Sequence, residues 1–128
     1  MLLTKWEISL GFWYVLAVAY NVYAYYQSLN GDVLLATSQP IRGIIFISIL
    51  MMVLSVRRVW LSLFKLVFPL CLLGLAYGGL INHWRYWASR GYSIGEESTA
   101  LFIALSLNGV AVVCGFVLWW QQLRGDRS

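Results

Sequence analysis

The sequence predicts an all-α integral membrane protein, a bundle of four transmembrane helices with both termini in the cytoplasm. Three observations predict this class: the composition, the four long apolar runs and the distribution of basic residues. Of the 128 residues, 61% are hydrophobic and only 11% are charged. A soluble domain carries about 25% charged residues, so most of this surface must face lipid rather than water. At this length we expect residues 1–128 to form a single membrane domain.

The first predicted span covers residues 8–26. A small-residue pattern at 17–19 imitates a signal-peptide cleavage site. However, the acidic Glu7 precedes the apolar run and the bulky Trp13 interrupts it, which favours a spanning helix that is retained. An outer loop is predicted at 27–40, where Pro40 suits the first turn of the next helix.

The second predicted span, 41–57, is short. Only 14 residues separate Arg42 from Arg57, and these cover about 21 Å at about 1.5 Å per residue. The hydrocarbon core of a bilayer is about 30 Å thick, so both arginines would have to extend outward to the membrane faces. A re-entrant hairpin is the alternative.

The third span is predicted at 60–81 and the fourth at 98–120, with an outer loop at 82–97 between them. Pro69 should kink the third helix because it lacks a backbone N–H. Small residues allow helices to approach closely in a membrane, and interhelical hydrogen bonds satisfy polar side chains there. We therefore expect helix–helix contacts at Gly74, Gly78, Asn108 and Gly109. For Asn108 this structural role is preferred over a polar site for an ion or substrate.

A basic turn separates the second span from the third. Two adjacent guanidinium groups, Arg57 and Arg58, cannot lie in hydrocarbon and must mark a membrane face. That face also receives both termini and holds six of the nine basic residues, against three on the opposite face. Positively charged loops favour the cytoplasm. Both termini are therefore predicted on the cytoplasmic side of a bacterial-type plasma membrane. The net charge of +4 is explained in this way without a nucleic-acid partner.

Two sets of residues are candidates for ligand contact. The first is Arg57, Arg58 and Lys65, which could bind lipid phosphate, although for Lys65 simple extension of the side chain toward the same face is preferred. The second lies in the 82–97 loop, where a lipid headgroup or a quinone could contact five consecutive side chains: His83, Trp84, Arg85, Tyr86 and Trp87. These residue types also occur in any interfacial loop.

No catalytic residue and no metal site is predicted, and no cofactor is expected beyond a bound lipid or quinone. Cys71 and Cys114 lie in apolar runs at different depths and are interpreted as buried thiols. We expect a small non-catalytic subunit or accessory protein of a larger membrane complex, which binds membrane lipids and either partner helices or further copies of itself. The alternatives are a small oligomeric channel or transporter, and a lipid- or quinone-handling enzyme that uses the 82–97 loop.

Overall fold

A computed structural model describes residues 3–32, 35, 37, 39–91 and 95–125, with only the backbone at 96. Over this part of the chain every regular element is helical. The helices are α1 (Lys5–Leu29), α2 (Pro40–Ser55), α3 (Leu61–Ala76), α4 (Asn82–Ser89) and α5 (Glu96–Arg124). A 3₁₀ turn, Val56–Arg58, extends α2, and a π-helical turn, Tyr77–Ile81, joins α3 to α4.

The described elements form four helices that are long and apolar enough to cross a membrane: Lys5–Leu29, Pro40–Arg58, Leu61–Ser89 and Glu97–Arg124. The all-helical, four-helix architecture predicted from the sequence is therefore confirmed. The helices extend beyond the predicted spans. In particular, the first half of the predicted 82–97 loop is helical through Ser89, because the π turn continues the third helix instead of ending it.

The second helix runs the length of the bundle as one antiparallel partner of α1. Three contacts record this alignment. Gly43 lies against Asn21 at one end, the hydroxyls of Tyr14 and Ser48 are 3.3 Å apart further along, and Arg57 meets Glu7 at the other end. We call the end at Val56–Trp60 the elbow end, and the end where α1 joins α2 and α4 joins α5 the loop end.

Large apolar side chains fill the half of the bundle near the elbow end. Side chains from all four helices are fully enclosed there, and Phe64 stacks on Phe68 with ring centroids 4.5 Å apart. Helix α5 comes close to α3 at Gly115, where a Cβ atom would lie 2.5 Å from Leu72 Cδ2. The enclosed residues of this half include Leu10, Trp13, Leu50, Phe64, Phe68, Leu72 and Leu118.

Pro69 leaves a backbone acceptor that a tryptophan satisfies. A proline cannot donate a hydrogen bond to the carbonyl four residues earlier, which here belongs to Lys65. The indole Nε1 of Trp119 on α5 donates to that carbonyl at 2.9 Å. Because an unsatisfied carbonyl is costly in an apolar setting, this contact makes the proline tolerable and links α3 to α5.

Candidate functional site

The half of the bundle near the loop end contains a partly open cavity of about 350 Å³. Ligand pockets in proteins have volumes of roughly 300–1,000 Å³, so a small molecule would fit. All four long helices contribute to its wall, and Thr37 and Gln39 add to it from the connection between α1 and α2. The cavity thus lies between the four long helices, on the loop-end side of the packed apolar half.

The wall changes from polar to apolar along the bundle. Near the loop end it presents seven polar side chains, and toward the centre it is lined mainly by apolar ones such as Ala17, Phe46, Ile47 and Leu75, with Asn108 at an intermediate level. The polar set near the loop end comprises Tyr20, Asn21, Thr37, Gln39, Arg42, Asn82 and His83. A ligand with one polar and one apolar end would match this gradient.

Two asparagines form the wall together with two glycines. Asn21 Nδ2 donates to the carbonyl of Ala17 at 2.8 Å, and its Oδ1 atom would lie 2.5 Å from a Cβ at Gly43. Asn108 Nδ2 donates to the carbonyl of Gly79 at 3.1 Å and would lie 2.5 Å from a Cβ there. Each asparagine therefore occupies space that only glycine leaves open, and each keeps an amide oxygen and a second N–H that can face a ligand.

A buried histidine closes the wall at the loop end. His83 is 9% exposed, and its Nδ1 lies 2.7 Å from the hydroxyl of Thr37. This hydrogen bond joins the third helix to the connection that precedes α2. Within the described part of the chain it is the one side-chain hydrogen bond to the ring, so Nε2 remains available to a ligand.

Arg42 supplies the charge of the cavity. Its Nη1 donates to Gln39 Oε1 at 2.9 Å, so the guanidinium is oriented by a neutral amide. Among the side chains that the structure describes, no carboxylate lines the cavity and none pairs with Arg42. The described part of the wall therefore carries one positive charge and no negative one.

Of the five loop candidates from the sequence, only His83 lines the cavity. Tyr86 instead donates to Glu97 Oε1 at 2.6 Å, and Arg90 pairs with the other oxygen of that carboxylate at 3.2 Å. Trp87 packs edge-on against Trp84 and Phe102, away from the cavity wall. Arg85 is exposed on the same helix. The helical continuation through Ser89 explains this separation, because successive side chains on a helix point in different directions.

The lipid-phosphate candidates lie at the elbow end and remain a prediction. Arg57 is only 6% exposed and its Nη2 lies 3.0 Å from Glu7 Oε1. Arg58 is more exposed and lies 3.7 Å from the same oxygen. The side chain of Lys65 is half-buried, about one turn along α3. A lipid phosphate at this end would therefore reach Arg58 and Lys65 more readily than Arg57.

The glycines predicted to form helix–helix contacts do not all pack against the same helix. A Cβ at Gly74 would touch only Phe46 of α2, whereas one at Gly78 would meet nothing within 4 Å. Both border the cavity. The glycine that packs against α5 is Gly79, through Asn108, and Gly109 lies near Leu80. The π turn inserts an extra residue at this level, so the face that meets α5 differs from the one that regular helical spacing predicts.

Sequence reasoning missed Tyr20, Thr37, Gln39, Arg42 and Asn82 as members of one site. Each is an ordinary residue for the end of a span when it is taken alone. Their shared depth was the available signal, since all lie close to one end of the predicted spans.

Both cysteines are free thiols outside the cavity wall, and the described residues contain no group of His, Cys, Asp or Glu that could hold a metal ion. Comparison with protein families, curated proteins and solved structures finds nothing that matches this chain.

Proposed function

We propose that this chain is a non-catalytic, multi-pass membrane protein that binds a small ligand in its loop-end cavity. We further propose that it serves as a subunit or accessory protein of a larger plasma-membrane complex. The observation that carries the proposal is the polar cavity between all four helices, above a tightly packed apolar half. A concave site with a few convergent polar groups is typical of ligand binding.

The membrane location is supported by the outer surface of the bundle. Large apolar side chains face outward along every helix, for example Phe12 at 67% exposure, Leu66 at 72% and Val113 at 62%. Such a surface is unfavourable in water and suits lipid or partner helices. The basic residues near the elbow end support a cytoplasmic position for that end and for both termini.

The chemistry of the wall supports binding rather than catalysis. Its polar groups are mainly amides and hydroxyls, with one guanidinium. These groups form hydrogen bonds but are poor proton donors and acceptors near neutral pH, whereas acid–base catalysis relies on groups such as His or Glu. His83 is the one lining group of that kind, and Thr37 already occupies one of its nitrogens.

A side chain placed at Gly78 should fill the cavity and displace the ligand. A Cβ at this position meets nothing within 4 Å, so the backbone leaves room for a side chain to begin here, as in Gly78→Leu. Gly11→Leu is the matched control, because Gly11 is also helical and unobstructed but lies outside the cavity wall. The measurement is native mass spectrometry of the protein extracted gently from its own membrane.

We expect the wild-type chain and Gly11→Leu to retain a small molecule that Gly78→Leu has lost. The same spectra should contain partner polypeptides at a fixed ratio. Equal ligand content in all three proteins would contradict the cavity as the binding site. Recovery of the chain alone, or only with further copies of itself, would contradict the role in a complex and favour an oligomeric transporter.

A further inference from the structure

We infer that the cavity selects an amphiphile with a single anionic head group, and that Arg42 is the residue that recognises the charge. This inference rests on the proposed function, because it names the class of ligand for the same site. Three features of the wall lead to it: the sign of its charge, the donors that surround that charge and the position of its apolar surface.

The charge argument depends on what accompanies Arg42. Elsewhere in the described structure three arginines lie beside carboxylates: Arg57 and Arg58 beside Glu7, and Arg90 beside Glu97. At the cavity the partner of Arg42 is the neutral Gln39. Arg42 is exposed, and with no carboxylate among the described side chains of the wall its guanidinium favours an anion and disfavours a cation.

The donors near Arg42 also suit an anionic head. A guanidinium carries five N–H groups, and one of its terminal nitrogens is used by Gln39. The side-chain amide of Asn82 has no hydrogen-bond partner among the described residues and borders the same cavity. Together with the second N–H of Asn21, these groups can donate to a carboxylate or a phosphate. Hydrogen bonds to an ionised acceptor are roughly twice as strong as neutral ones.

The apolar part of the ligand has a defined place. Below the polar residues the wall passes to Phe46, Ile47 and Leu75, which lead toward the packed apolar half. A head held at Arg42 would direct an attached hydrocarbon chain along this surface. A small inorganic anion would leave the apolar wall without a partner, and a neutral apolar molecule would leave the donors unsatisfied.

The test uses four probes in nanodiscs of zwitterionic lipid: dodecanoate, dodecanol, dodecylammonium and acetate. The first three share the chain and differ in head charge, whereas acetate has the charge without the chain. We expect dodecanoate to bind at least about tenfold more tightly than the other probes, since a tenfold difference corresponds to about 1.4 kcal/mol and hydrogen bonds to an ionised group are stronger than neutral ones. This comparison needs no substitution and decides the charge preference in the native chain.

Variants then assign the preference to a residue. Arg42→Gln should remove the preference for dodecanoate over dodecanol, and Arg42→Lys should keep part of it. Arg85→Gln is the matched control. It also removes one positive charge near the loop end of the bundle, but Arg85 lies outside the cavity wall. Loss of the preference in Arg85→Gln as well would indicate a general surface charge and overturn the assignment to Arg42.

The outcomes separate the inference from the proposed function. Suppose that dodecanoate, dodecanol and dodecylammonium bind equally well, and that Gly78→Leu abolishes the binding of all three. This result would overturn the inference that the ligand is anionic, but the cavity would remain the binding site. If acetate bound as tightly as dodecanoate, the inference that the ligand has an apolar chain would be overturned. If Gly78→Leu left the binding of every probe unchanged, the proposed function itself would be overturned.

Discussion

Replacing Glu7 by glutamine should lower the free energy of unfolding by about 3–5 kcal/mol, the usual cost of removing one partner of a buried ion pair. The side chains of Glu7 and Arg57 are only 8% and 6% exposed, and 3.0 Å separates the joined atoms. The other terminal nitrogen of Arg57 is buried and has no hydrogen-bond partner among the described residues. Without the carboxylate, the guanidinium charge would be left in an enclosed site.

Glutamine is the informative substitution because it preserves the start of α1. Glu7 Oε2 accepts a hydrogen bond from the backbone N–H of Thr4 at 2.8 Å, and the Thr4 hydroxyl accepts one from the N–H of Glu7 at 3.2 Å. Glutamine can maintain this reciprocal cap. Its effect therefore reports the loss of charge rather than the loss of the cap.

Reversible unfolding in mixed micelles gives the measurement, with Arg58→Gln as the control. Arg58 is 33% exposed and lies 3.7 Å from the same carboxylate, so its loss should cost less than about 1 kcal/mol. The double substitution Glu7→Gln and Arg57→Gln should recover much of the stability lost in Glu7→Gln alone. If Glu7→Gln were no more destabilising than Arg58→Gln, the buried pair would not hold the elbow end together.

The second large effect is expected at Trp119. Trp119→Phe removes the N–H that satisfies the Lys65 carbonyl, and it should cost about 1–3 kcal/mol, as expected for an unsatisfied buried acceptor. The cost arises only because Pro69 cannot donate to that carbonyl. Changing Pro69 to alanine should supply the missing backbone donor.

A double-mutant cycle separates this hydrogen bond from the lost ring volume. Trp119→Phe should be clearly less destabilising in the Pro69→Ala background than in the native chain, whereas the change in volume is the same in both. The measurement is again the free energy of unfolding in mixed micelles. Equal costs in the two backgrounds would mean that Trp119 contributes only packing.

The four-helix fold was predictable because a membrane protein's spans are long apolar runs. Arg57 and Arg58 were expected to need a polar setting at a membrane face. Their partner, Glu7, was not predicted, since it lies about 50 residues earlier in the chain and pairing over such a distance follows from helix packing. The pattern of Thr4 followed by Glu7 three residues later was the accessible signal for the cap.

The cavity was less predictable than the fold for a similar reason. Its polar residues come from five separate segments, and only His83 belonged to the predicted loop site. Asn108 was expected to contact another helix, but its partner at Gly79 depends on the π turn, which sequence periodicity does not reveal. The hydrogen bond from Trp119 to the residue four positions before Pro69 could not be predicted either, because it depends on the relative height of α3 and α5.

Cysteine accessibility tests most directly the central claim that one half of the bundle is hollow and the other is solid. In a Cys71→Ala and Cys114→Ala background, Gly78→Cys would place a thiol at the cavity wall, and Ala111→Cys would place one in the packed half, where Ala111 is fully buried. Only a thiolate reacts with a methanethiosulfonate, so a thiol that faces lipid or a dry core stays unmodified. The reagent is a charged, membrane-impermeant methanethiosulfonate added to intact cells.

The account predicts rapid modification of Gly78→Cys from outside the cell and none of Ala111→Cys. Modification of Gly78→Cys only from the cytoplasmic side would contradict the proposed orientation. Failure to modify it from either side, or equal modification of both cysteines, would contradict the accessible cavity itself.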